Sequence, residues 1–149
     1  MRAVVQRVTE ASVTSGGKEC GRIGPGLVVL LGVEAGDTDR DAEYMAGKIC
    51  RLRIFEDDMG KMNRSVTDTS GSVLCVSQFT LLGDARGQNR PAFIRAERPD
   101  EADRLYEKTC LAIEQAGIPV EKGVFRTHMA VSLVNDGPVT ILLDSRKTF

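Results

Sequence analysis

The chain predicts a mixed α/β fold with about seven strands and two helices. Three observations carry this. Short apolar runs, Leu27–Val33 and Ser72–Leu82 foremost, are bounded by Gly, Pro and Ser, the usual punctuation of strands. Ala42, Met45, Ala46, Ile49 and Leu52 recur at helical spacing, and so do Ala102, Leu105, Tyr106, Thr109, Ala112, Ile113 and Ala116. No repeat, low-complexity stretch or linker divides the 149 residues, so one domain spanning 1–149 is expected.

The elements follow in order. Arg2 to Thr14 alternates as a strand, and Ser15-Gly16-Gly17-Lys18 turns it back. Glu19 to Ile23 returns, Gly24-Pro25-Gly26 turns again, and Leu27 to Val33 is apolar enough to be buried on both faces. Thr38 or Asp39 caps the first helix. Arg53 to Glu56 reads as a short strand, followed by a polar, turn-rich segment from Asp57 to Gly71. Ser72 to Leu82 reads as a strand throughout, and Gly83 to Arg98 as irregular. Pro99 and the acidic pair Asp100-Glu101 suit a first helical turn, and Gly117 suits its end. Val124 to Val134 and Val139 to Leu143 read as the last strands, with Asn135-Asp136-Gly137-Pro138 as the turn between them.

Composition narrows the function. A net charge of −1 supplies no global basic field for nucleic acid, so any such contact must be local. The N-terminus has no apolar core of a signal peptide, and no apolar run is long enough for a bilayer, so a cytoplasmic protein is expected. Cys20, Cys50, Cys75 and Cys110 are scattered, with no close pair for a metal or redox site, and read as buried free thiols. His128, the only histidine, cannot build a multi-histidine metal site; it reads as structural or as a general base.

Two segments carry more information. Ser77-Gln78-Phe79-Thr80-Leu81 places two hydroxyls and an amide in an otherwise apolar run, which is costly unless they are paired or used. Continued alternation would put Gln78 and Thr80 on one face and Ser77 and Phe79 on the other. Ser77 and Thr80 can share a pocket only if the strand ends or bulges there. Sheet hydrogen bonding and a site remain equal readings on pattern alone. In Ser132–Thr140, the Gly137-Pro138 pair is an ordinary trans turn on its own, although glycine also permits close approach to a ligand. Arg86, Arg90, Arg95 and Arg98 lie in the irregular segment, which is a single-stranded RNA contact or a solvated loop.

Together, the start Met1-Arg2-Ala3-Val4-Val5-Gln6-Arg7-Val8, the Ser77–Leu81 segment and Val131–Thr140 closely resemble the D-aminoacyl-tRNA deacylase family. The resemblance covers the whole chain, including Arg90-Pro91-x-Phe93 and Gly123-Val124-Phe125. It implies layered, mostly antiparallel sheets around a barrel-like core with two main helices. It implies a homodimer with the site at the subunit interface, and a metal-independent, cofactor-free hydrolase of D-aminoacyl-tRNA. It implies that glycine mischarged on tRNA is also removed, while L-aminoacyl-tRNA is spared. The partner is then the terminal adenosine at the 3′ end of the aminoacyl-tRNA. Ser77, Gln78, Phe79 and Thr80 correspond to the catalytic motif. Gly137 and Pro138 correspond to a cis pair whose carbonyls enter the other subunit's pocket. Phe125 and Met129 resemble the adenosine-contacting and wall residues, and Arg7 resembles the arginine that braces the Gly-Pro loop. Ala92 stands where many relatives carry serine. Two other readings are a non-catalytic RNA-end-binding module and a thiol hydrolase using Cys75.

Overall fold

The computed structural model describes residues 1–149. The strand β1 (Arg2–Ser15) organises the sheet because nearly its whole length is paired on both edges. Its second half pairs antiparallel with β2 (Lys18–Ile23), and its first half with β3 (Gly26–Gly32). On its other edge lies β8 (Ala130–Asp144). Next to β3 runs β6 (Ser72–Ser77), parallel to it, and then β7 (Val120–Lys122), parallel again. A Cβ on Gly21 of β2 would lie 3.2 Å from Cβ of Glu121 in β7. The sheet therefore curls until its two sides nearly meet, and β1 serves both.

Side-chain alternation divides the core in two. Leu27, Val29, Leu31, Val73 and Cys75 face α1 (Asp39–Arg51) and α2 (Pro99–Gln115), which pack together across the sheet. Val28, Leu74 and Val76 point the other way, into the curl, where they meet Val8, Ala11, Val13 and Ile23. Both faces of β3 and β6 are thus dry, which is why those strands read as continuous apolar runs. Asp41 accepts the Thr38 N–H at 2.7 Å and opens α1. Pro99 opens α2 at its first position.

Several boundaries differ from the sequence reading. The short strand read over Arg53–Glu56 is present as β4 (Phe55–Glu56), but its hairpin partner β5 (Met62–Arg64) lies in the segment read as turns. The hairpin is held by Asp57, which accepts from the Met59 and Lys61 N–H groups at 2.9 and 3.0 Å. β7 was not expected, and Val124–Met129 is a loop instead of the start of a strand. Cys20 is half-buried, whereas Cys50, Cys75 and Cys110 are buried.

The last turn of the chain is latched back onto its beginning. Asp144 accepts from the N–H groups of Arg146 and Thr148 at 2.9 and 3.3 Å and from the Thr148 hydroxyl. The buried Met1 ammonium lies 2.7 Å from Asp37 and donates to Ser145 Oγ at 2.6 Å. Burial pushes the Asp144 carboxyl up. The hydrogen bonds and the nearby ammonium outweigh burial and leave it below its ordinary value. A carboxyl depressed on folding contributes stability above its unfolded pKa of about 4, and that contribution is lost as pH falls through the folded value. Asp144→Asn is therefore expected to lower the urea midpoint at neutral pH. The gap from the native protein should shrink as pH drops below about 4. Urea titrations at neutral and acidic pH check this, and a gap that stays constant refutes it.

Candidate active site

The site begins where β6 stops. The strand expected to run to Leu82 ends at Ser77. Gln78 makes one more sheet bond, its N–H to Leu31 O at 2.8 Å, and then turns at φ −142°, ψ 81° into a 3₁₀ turn over Phe79–Leu82. The turn closes through Leu81 N–H to Gln78 O at 3.3 Å and Gly83 N–H to Thr80 O at 3.0 Å. The reason lies in the neighbouring strand. β3 has reached Gly32, whose missing side chain leaves room for the turn: a Cβ there would sit 2.7 Å from Leu82 Cδ2 and 2.8 Å from Gln78 O. Folding over Gly32 buries Leu82 and leaves Phe79 more than half exposed, in edge contact with Phe93 at 5.1 Å. The amide of Gln78 donates to the Thr80 hydroxyl, so these two side chains are paired locally and not across a sheet.

A cavity of about 550 Å³ opens beside this turn. Ser77, Gln78 and Phe79 form one wall, and Phe125, Met129 and Val131 form another. Val33 and Val76 also line it, as do Ala96 before α2 and Pro99 and Ala102 at its start. The size and mostly apolar lining suit a small organic group with a few polar contacts. The loop carrying Phe125 and Met129 is tightly seated. Gly123 N–H bonds Cys75 O at 3.2 Å, and a Cβ on Gly123 would lie 2.5 Å from the Met129 sulfur. Behind Phe125 stands buried Tyr106, at 6.2 Å between ring centres, its hydroxyl donating to Cys75 O at 2.8 Å. Burial pushes that phenol far up, so it stays a neutral donor.

Gly137 and Pro138 lie elsewhere. The Asn135–Pro138 segment is not a turn between two strands. β8 is one strand, and both its halves pair with β1: Asn135 opposes Val8, and Thr140 opposes Gln6. The residues between are extruded as a large bulge whose Gly137–Pro138 peptide is cis and whose Gly137 φ is +117°. The Asn135 amide spans its neck. With its nitrogen turned inward it donates to Arg7 O at 2.8 Å and Val139 O at 3.2 Å. Arg7 is buried beneath. It donates to Ile54 O at 2.8 Å, and its Nε lies 3.1 Å from Asp136 Oδ2 as an ion contact without hydrogen-bond alignment. A Cβ on Gly137 would come within 3.0 Å of Arg7 Nη2. The exposed Gly-Pro tip does not line the cavity.

The chain therefore brings together Ser77, Gln78, Phe79, Phe125 and Met129, with Thr80 just outside, and holds Arg7, Gly137 and Pro138 as a second group. His128 is not a core histidine; it is exposed on the cavity lip. Arg126 and Thr127 also line the cavity and were missed, because the loop was read as a strand; Glu97, in the irregular segment before α2, lines it too. The polar run Arg126-Thr127-His128, which breaks any alternation, was the available signal. Cys75 is fully buried, and the Cys110 thiol beside it, with burial, pushes its thiol up, so it has no nucleophilic form to offer. In the arginine-bearing segment, Arg86 grips Asp84 at 2.5 Å and holds that carboxyl well below the usual range, and Arg95 pairs with Glu34 at 2.6 Å. No three His, Cys, Asp or Glu side chains converge on one point, and no helix is long and apolar enough to cross a membrane.

A nearly closed sheet with two helices on its outer face, carrying a Ser-Gln-Phe turn against a Phe-Met wall, defines a small α/β protein of recognisable kind. The family model described as D-Tyr-tRNA(Tyr) deacylase matches residues 4–144. A D-aminoacyl-tRNA deacylase of Symbiobacterium thermophilum is 57% identical over 149 residues, covering 100% of this chain and 99% of that one. One of Anaeromyxobacter dehalogenans is also 57% identical, covering 100% of both. Among solved structures, a c-Myc DNA unwinding element binding protein superposes with a TM-score of 0.91 at 44% identity, covering 97% of this chain and 98% of that one. A probable eukaryotic D-amino acid tRNA deacylase gives 0.83 over 95% and 97% of the chains; at 18% identity it speaks to the fold alone. The chain belongs to the D-Tyr-tRNA(Tyr) deacylase family.

Proposed function

We propose that this chain, working as one domain, hydrolyses the ester joining a D-amino acid to the 3′-terminal adenosine of tRNA. It would remove mischarged glycine by the same route and spare L-aminoacyl-tRNA, a proofreading step in translation. The observation that carries the reading is the meeting of Ser77, Gln78 and Phe79 with Phe125 and Met129 on one cavity. The apolar end takes the nucleoside, and the turn takes the ester. Phe79 and Thr80 open a 3₁₀ turn, and the first N–H groups of a helix have no intrahelical acceptor. They would donate to the oxyanion as water adds to the ester carbonyl. The ester then breaks to free the amino acid and the tRNA hydroxyl. An aminoacyl ester is already reactive, so holding it beside water and such donors is most of the task.

Thr80 orients and does not attack. Its hydroxyl accepts from the Gln78 amide, and neither His128 nor any carboxylate hydrogen-bonds to it to take its proton. Thr80→Val is expected to keep activity within about tenfold of native, whereas a covalent route would lose it altogether. Single-turnover deacylation of D-Tyr-tRNA reads the difference.

Selectivity falls to Gly137 and Pro138. In one chain they stand apart from the cavity, so a homodimer is the arrangement that lets one subunit's bulge reach its partner's pocket. Two fixed carbonyls would accept the substrate ammonium and leave no room for a side chain of L configuration. Glycine, with nothing to clash, would pass. The experiment is incubation with D-Tyr-, L-Tyr- and Gly-charged tRNA in the presence of a chelator. Cleavage of the first and third, sparing of the second and indifference to chelator are expected. Equal cleavage of D- and L-Tyr-tRNA overturns the selectivity account. Tight binding of the tRNA end without cleavage favours the RNA-binding module instead.

A further inference from the structure

The loop that supplies Phe125 and Met129 also presents Arg126 and His128, and neither side chain is occupied. None of the ion pairs involves Arg126. The one carboxylate lining the cavity, Glu97, already accepts from the N–H groups of Gly36 at 3.1 Å and Arg98 at 2.7 Å. Arg126 also holds φ at +61°, a left-handed conformation that an ordinary residue avoids and that clusters where function needs it. The conformation is enforced by its neighbours. Thr127 Oγ1 donates to Val124 O at 2.9 Å and lies 2.8 Å from Ser15 Oγ, while Gly123 is pinned under the Met129 sulfur. A loop held by its neighbours thus puts an unpaired guanidinium and the His128 ring, a second donor, on the lining of a largely apolar cavity. On a chain of net charge −1, this is a local cationic spot and not part of a general field.

We infer that Arg126, with His128 beside it, grips the phosphodiester that joins the terminal nucleotide of the substrate RNA to the one before it. The inference rests on the proposed nucleoside-ester function and adds a positioning contact to it. With the base between Phe125 and Met129 and the ester at Phe79, the 5′ side of the ribose faces the lip that these two residues form. A planar guanidinium matches a phosphate through paired N–H donors, which fixes register as well as adding affinity. Such a contact reads no base and serves any tRNA.

Two synthetic substrates isolate it: the D-tyrosyl ester of adenosine, which has no phosphate, and the D-tyrosyl ester of the dinucleotide CpA, which has one. Native protein is expected to show the lower KM on the dinucleotide. Arg126→Ala should raise that KM about tenfold and leave kcat and the adenosine ester unchanged. Arg126→Gly relieves the left-handed backbone, so it should melt no lower than native and still show the same KM loss. Arg126→Lys should recover part of it. The slope of log affinity for tRNA against log salt should flatten by about 0.7 in Arg126→Ala. An unchanged dinucleotide KM, or an equal rise with both esters, overturns the inference. A native protein that cleaves neither ester nor D-Tyr-tRNA overturns the parent reading and this one with it, whereas cleavage of D-Tyr-tRNA with an unchanged salt slope and KM in Arg126→Ala overturns this one alone.

Discussion

Gly137→Ala is expected to lower hydrolysis of D-Tyr-tRNA by about 100-fold while the protein stays folded. The backbone at Gly137 has φ +117°, where an alanine is strained by about 1–3 kcal/mol. Its methyl would also lie 2.8 Å from Val139 Cγ2, 3.0 Å from Arg7 Nη2 and 3.1 Å from Val139 N. Val139 is anchored in the core, and Arg7 is held by Ile54 O, so the bulge must move and carry its carbonyls with it. Because the bulge is exposed and its base is paired on both sides, the displacement stays local. Melting should fall by roughly 2–12 °C. Deacylation of D- and L-Tyr-tRNA, together with circular dichroism, checks this. Native rate and native selectivity in Gly137→Ala would remove Gly137 from the proposed gate.

Gly32→Ala acts from beneath the site with a comparable effect. The added methyl would fall 2.7 Å from Leu82 Cδ2, 2.8 Å from Gln78 O and 3.2 Å from Leu81 Cβ. A flexible side chain can yield, but Gln78 O is backbone and closes the 3₁₀ turn. β3 cannot retreat, since Gly32 opposes Arg2 in the central pairing. The turn must therefore rise, taking the Phe79 and Thr80 N–H groups with it. A misplacement of about 1 Å can cost about 100-fold, and overpacking costs about 1–3 kcal/mol of stability. The expected result is a fall of about 100-fold in kcat/KM on D-Tyr-tRNA with native secondary structure. Gly24→Ala is the control: a Cβ there meets nothing within 4 Å, so rate and melting should not change. A Gly32→Ala protein within threefold of native would show that the turn does not need this support.

The family came from three short motifs in order along the chain, and the helices from periodicity. α2 was legible end to end because Pro99, the acidic first turn, the apolar stripe and Gly117 all agree locally. The errors cluster at the site. Gln78 and Thr80 looked like alternating strand residues because alternation is blind to where a neighbouring strand stops. Asn135–Pro138 has the composition of a hairpin turn, yet both flanking runs pair with the same strand, and Asn135 meets Gln6 across the bulge neck. Phe125 and Met129 were named through the resemblance but placed on a strand, since Val124–Val134 is apolar enough for one.

Local chemistry by itself determined which segments bury an apolar face, where the helices begin and end, and which two polar motifs stand out from their surroundings. The tertiary structure alone decided that Ser77, Gln78 and Phe79 share a cavity with Phe125 and Met129, and that Arg7 sits beneath Gly137. These contacts join residues far apart in the chain. They depend on the space left by Gly32, the curl that brings β7 to β2, and the unequal spacing of β1 and β8, none of which leaves a trace in a local pattern.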